Sequence, residues 1–246
     1  IGGMVSVFMK APIDAYFDSG RRAALTDVAD TTVRRMARDI RISLPNSILV
    51  PNNQCIEFIP TKTGGRYRTT ELNPGDNTSL NFTAADDSFN MLGSNAALQA
   101  DQQIVAGDIV VVYNLGIPGS SAYLQNNTAT VGANPGPPVA GETTIALDPA
   151  FQFPLASGGH RFHVVPGGPN PVVSYVCDAA NNLRRSTRAL DGAPCPVNGS
   201  ILAGQVAACN FVYDANAQRN ALLQVNMTFT EAGESVNLYH EIHVDN

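Results

Sequence analysis

The sequence predicts an α+β protein, a long N-terminal α-helix packed on an antiparallel β-sheet head. Three observations predict it. An apolar stub from Ile1 to Met9 runs into a strongly periodic amphipathic segment that ends at Leu44-Pro45. After Pro51 the pattern changes to short apolar runs and period-two alternation, punctuated by Gly, Pro and Asn. Only 15% of the 246 residues are charged, whereas Gly (21) and Pro (16) are plentiful, a balance that favours strands, turns and long loops over a helical bundle. The chain divides into a helix at 1–46 and a β-rich head at 47–246, with no linker long enough to separate two domains in the head.

The helix is justified by its periodicity. From Leu25 the apolar positions Val28, Ala29, Val33, Met36, Ala37, Ile40 and Leu44 recur at steps of one, three and four. Leu25, Val28, Val33, Met36, Ile40 and Leu44 are therefore expected to pack on the head. Asp27, Asp30, Arg34, Arg38 and Arg41 mark the opposite face. Asp30 and Arg34 form an i,i+4 pair with the acid first, and Arg38 and Arg41 suit the negative end of the helix dipole. Pro45 ends the helix by disfavouring helical geometry at Leu44. A continuous helix from Ile1 to Leu44 is about 65 Å long. A compact head cannot cover that length, so the N-terminal part needs a membrane or neighbouring subunits. Nine apolar residues are about half of the ~20 that cross a bilayer. The stub reads as the tail of a membrane helix whose preceding residues were removed; the alternative is an ordinary buried helix start.

Strands follow at Cys55–Ile59, Arg66–Thr70, Ser79–Thr83, Ile109–Leu115, Thr143–Leu147, Arg161–Val165, Val172–Cys177, Leu183–Thr187 and Cys209–Tyr213. The last two elements are the clearest. Leu223, Val225, Met227 and Phe229 alternate with polar residues, as do Val236, Leu238, Ile242 and Val244, and Glu231 to Glu234 makes the turn of an antiparallel hairpin. Residues 126–141 and 191–204 read as long loops.

Net charge is −6, spread as +2 over residues 1–50 and −8 over the rest, so nucleic-acid binding is not expected. The four cysteines, Cys55, Cys177, Cys195 and Cys209, contain no CxxC pair and fit disulfides in an oxidising compartment. Four buried free thiols are the alternative. Of the three possible pairings, Cys177 with Cys209 is the one expected to join two core strands.

Catalytic signals are weak. His160/His163 and His240/His243 are HxxH pairs, but strand residues three apart point to opposite faces, so a shared metal is not expected. Alternation places His240 on the apolar face, as a core histidine with a hydrogen-bond partner. There is no GxSxG elbow, Walker loop or GxGxxG after a strand. Asp76, Asp86 and Asp87 lie in an acidic loop that matches no EF-hand and reads as solvated. The chain is expected to be no enzyme and to need no cofactor or metal.

The ordered set AALTDVADTTVRRMARDIRISLPNSI, CIEFIP, GGRYR, GDIVVVYNLG, RFHVV, VSYVCD, LRR, VAACNFVYD and LYHEIHVDN covers the chain. As a set it resembles the MshO-type minor pilins of mannose-sensitive haemagglutinin pilus systems and, more distantly, the J-type minor pseudopilins of type II secretion. The resemblance implies a pilin-like fold and a non-enzymatic minor subunit that helps initiate or cap a type IV pilus-like filament. It implies an assembly helix through Ile1, Met4, Val5, Val7 and Phe8, and partners among other minor pilin subunits and the major pilin. It also implies an inner-membrane helix with the head in the bacterial periplasm before entry into a pilus or pseudopilus. The leader, the cleavage site and the acidic residue near the mature N-terminus have no counterpart in these residues, so processing is not carried over. The rival expectation is a pilus-tip adhesin that binds a glycan through loops 71–90 and 126–141, with Tyr123 the nearby aromatic; a periplasmic hydrolase is a further one.

Overall fold

A computed structural model of the chain describes residues 2–214 and 220–245. Helix α1 spans Gly2–Arg41. Fourteen strands follow among the described residues: β1 Leu49–Asn52, β2 Cys55–Phe58, β3 Thr63–Arg66, β4 Asp86–Met91, β5 Ile109–Val112, β6 Thr128–Thr130 and β7 Thr143–Phe151. After these come β8 Arg161–Val165, β9 Val172–Cys177, β10 Leu183–Arg188, β11 Ser200–Ala203, β12 Val206–Asp214, β13 Asn220–Glu231 and β14 Glu234–Asp245. The α+β, pilin-like architecture expected from the sequence is corrected. Strand accounts for 42% of the chain, in four sheets, and the protein is a β-rich fold with one helix packed on sheets. Segments not read as strand account for part of the difference: β1, β6 and β11 are short strands that pair within larger sheets, and β4 pairs with β7 in a two-stranded sheet.

The helix packs on the C-terminal sheet, ordered β12-β13-β14, and on the five-stranded sheet β1-β2-β9-β10-β11, in one continuous core. Leu25, Ala29, Val33, Met36 and Ile40 meet Leu223, Val225, Met227, Phe229 and Ile242 from the hairpin, and Phe58 and Tyr175 from the second sheet. Alternation along β13 carries this packing: Leu223, Val225, Met227 and Phe229 are fully buried, while Asn226 between them is exposed. The β13–β14 turn places Ala232 and Gly233 at φ of 48° and 87°, the two left-handed positions of a two-residue hairpin loop.

The chain between β2 and β9 forms a second body. Its sheets β3-β8-β5-β6 and β4-β7 enclose a separate core built on Tyr67, Phe89, Ile104, Val110, Ile145, Phe153 and Phe162. A junction cluster of Leu44, Ile59, Val111, Ala122, Val165 and Val172 seats this body against the first. Glu57 is paired with Ser174 and Phe58 with Val173, so the second body leaves and re-enters the five-stranded sheet at neighbouring positions. The head at 47–246 thus has two cores, although no Gly/Pro/Ser-rich linker marks the division.

Candidate assembly surface

Helix α1 presents two regions. From Leu25 to Ile40 one stripe is covered by the head; residues 15–24 are exposed or half-buried. Tyr16 and Phe17 are 77% and 56% exposed, and their rings meet edge to face at 6.0 Å. With Gly20, Ala23, Ala24 and Glu231 they line a shallow cavity of about 470 Å³ where the helix passes the β13–β14 turn. Small residues there let a second backbone approach closely, and the aromatics supply apolar area to cover.

The covered part is also fixed by polar contacts. Arg22 pairs with Glu234 at the hairpin turn. Nearer the C-terminus of the helix, Asp39 accepts hydrogen bonds from the Tyr175 hydroxyl (2.7 Å) and from Arg185 Nε (2.9 Å). Burial, then the Asp39 carboxylate, pushes the Tyr175 phenol above its ordinary value, so it remains a donor across the accessible pH range. The helix is therefore tied to β9, β10 and β14 as well as packed on them.

Of the residues expected on the packed face, Leu25, Val33, Met36 and Ile40 are buried against the head. Val28 is a correction: it is 39% exposed. At about 100° per residue it sits roughly 100° from the centre of the buried stripe, which is completed instead by Ala29 and Thr32. Leu44 is buried too, but beyond the end of the helix, in the junction cluster. Ile1 and the side chains of Met4, Val5, Val7 and Phe8 lie outside the described residues. Among the described residues no helix is long and apolar enough to cross a membrane.

The cysteines are joined as Cys55–Cys195 and Cys177–Cys209. The second bridge ties β9 to β12, and the first fastens the 191–199 loop to β2. Beside it lies a buried ion pair that no sequence pattern announces. Arg188 Nε and Nη2 donate to Glu57 Oε1 and Oε2 at 3.0 and 2.7 Å, and the Cys195 backbone N–H donates to Oε1 at 2.7 Å. Cys55, Glu57 and Cys195 stand close enough to suggest a metal cluster, but the two sulfurs are bonded to each other and Glu57 already has its partners. The guanidinium of Arg188 also stacks on the Tyr123 ring at 5.6 Å, and the Tyr123 hydroxyl donates to Ser47 O.

The histidines do not gather. His160 is exposed at φ 53°, His163 is half-buried, His243 is exposed, and His240 is half-buried in a groove between α1 and β14, beside Arg38 and Arg41. The acidic loop is structural in part. Asp86 is buried and accepts from the backbone N–H of Asn81 and Ser88, with burial pushing its carboxyl up. Asp76 instead accepts from the Thr78 hydroxyl and from nearby backbone N–H groups, which hold its carboxyl down. Comparison with protein-family models, with curated proteins and with solved structures finds no match to this chain.

Proposed function

We propose that this chain is a non-enzymatic minor subunit of a type IV pilus-like filament of the mannose-sensitive haemagglutinin class, one that helps initiate or cap assembly. The observation that supports this reading is the division of helix α1 into a stripe the head covers and an aromatic, small-residue stretch that it leaves open. Burying apolar surface against a neighbour contributes about 25 cal/mol per Å², so an uncovered helix segment is a driving force for lateral association. The partners on this reading are other minor subunits and the major pilin, with the head in the periplasm and the helix passing from the inner membrane to the filament. Two disulfides suit that oxidising compartment.

The adhesin alternative has less support. Tyr123, the aromatic it relied on, has its ring under Arg188 and its hydroxyl on Ser47, so it is not free to stack on a sugar.

The test is co-purification of the chain with candidate minor pilin subunits expressed together with it. The complex should form with the native chain and be lost in the Tyr16→Ser/Phe17→Ser variant, whose circular dichroism and melting temperature should match the native chain. An unchanged complex in the variant, or no complex with any minor subunit, removes the reading.

A further inference from the structure

A second surface lies on the far side of the helix end, where the two bodies meet. The C-terminus of α1, the connector after it, the end of β5 and strand β8 enclose a cavity of about 700 Å³, within the range of small-molecule sites. Arg41, Arg161 and His163 line it, and no carboxylate does. Neither arginine has an ion-pair partner among the described residues. Arg35, Arg38 and Arg66 share that state, but only Arg41 and Arg161 border this cavity. In a chain whose head is net acidic, two exposed arginines without ion-pair partners at the rim of one cavity make a local positive charge.

An aromatic ring and a further donor also stand at the cavity. Ser43 borders it as well, but its hydroxyl oxygen is sealed from solvent and out of a ligand's reach. Tyr113, just after β5, is held at φ 49° and is 40% exposed, a left-handed backbone that a bulky residue adopts at a cost, and it also lines the cavity. His163 adds a donor at the wall; burial, then the charge of Arg161, holds its imidazole below the usual value.

We propose that this cavity binds a small saccharide bearing an oxyanion, a carboxylate or a sulfate, with Arg41 and Arg161 on the anion and the Tyr113 ring against the sugar. Arginine forks match both oxyanions, and an exposed tyrosine offers an apolar face with a polar rim. The site stands apart from the helix surface described above and does not depend on the filament reading.

Calorimetric titration of the whole chain with glucuronate, glucose 6-sulfate, glucose and sodium sulfate tests it. At least one of the two sugar acids should bind about tenfold or more tightly than glucose and than inorganic sulfate, and which one binds identifies the oxyanion. Arg161→Gln and Arg41→Gln lie on different elements and are surface changes; each should weaken that binding about tenfold with an unchanged melting temperature. The proposal is overturned by equal affinity for glucose and the sugar acids, by inorganic sulfate binding as tightly as either acid, by no binding of either acid, or by full affinity in both arginine variants.

Discussion

Removing the Cys55–Cys195 bridge, as Cys55→Ser/Cys195→Ser, should destabilise the chain more than removing Cys177–Cys209. The sequence separations are 140 and 32 residues. In the chain-entropy description, closing loops of those lengths corresponds to about 5 and about 3.7 kcal/mol at 25 °C. The longer loop has a second consequence in this fold. Cys195 contributes the backbone N–H that donates to Glu57 Oε1, and Glu57 is fully buried. Releasing the 191–199 loop withdraws that donor, at about 1–3 kcal/mol for a buried acceptor left short. The gap between the two double variants should therefore be about 2–4 kcal/mol. Urea unfolding of both variants and of the oxidised native chain, with m-values compared, measures it. Equal losses, or a larger loss for Cys177→Ser/Cys209→Ser, would refute the coupling between the bridge and the carboxylate.

Arg188→Met should cost about 3–5 kcal/mol, because it leaves the buried Glu57 carboxylate with the Cys195 N–H but without its bidentate partner; urea midpoints read this directly. Met36→Ala, at the centre of the buried helix stripe, should cost about 2–5 kcal/mol, whereas Val28→Ala on the exposed flank should stay within about 0.5 kcal/mol. Ala232→Asn should raise stability by about 0.5 kcal/mol, since Asn tolerates the positive φ of the hairpin turn better than Ala, and the melting temperature should rise. The Asp178 carboxyl is lowered to about 2, chiefly by the Arg184 hydrogen bond and then by backbone N–H groups of the β9–β10 turn. Because its folded value lies below the ordinary carboxylate value of about 3.9, its contribution is complete above that pH and is lost as pH falls towards 2. The stability difference between native and Asp178→Asn should accordingly shrink over that window; a constant difference from pH 5 to pH 2 contradicts the assignment.

Period was the strongest signal in the sequence, and elements that follow it were read closely. The hairpin of β13 and β14 and the strands β2, β8, β9 and β10 fall where alternation or apolar runs put them. The helix register was legible as well, apart from Val28, whose apolar side chain fits a step-counting rule but not the angle of the stripe. Ser79–Thr83 was read as strand, but the neighbouring pairing belongs to β4, whose Asp86-Asp87 start hides it. The second body escaped notice for a topological reason. Its boundaries are ordinary strand ends, and only the pairing of β2 with β9, more than 110 residues apart, reveals an excursion. The basic cavity was illegible in the same way. Arg41, Tyr113 and Arg161 come from three segments spread over 120 residues, and in sequence Arg161 only looked like the filler of an HxxH pattern.

The pairing of Phe58 with Val173 also bears on how such a chain can diversify. Two ladder partners stand about 5 Å apart, so everything between them hangs from a gap that a tight turn would close. Grafting a different excursion at that gap leaves the strands beneath it in register and replaces the junction contacts, among them those of Ile59, Val111 and Val165, the Asn114 bonds to Pro45 and Asn46, and the Tyr123 contacts with Ser47 and Arg188. The outer body is in this sense an interchangeable cassette: its sequence can drift or be exchanged wholesale while the helix-bearing base keeps its shape.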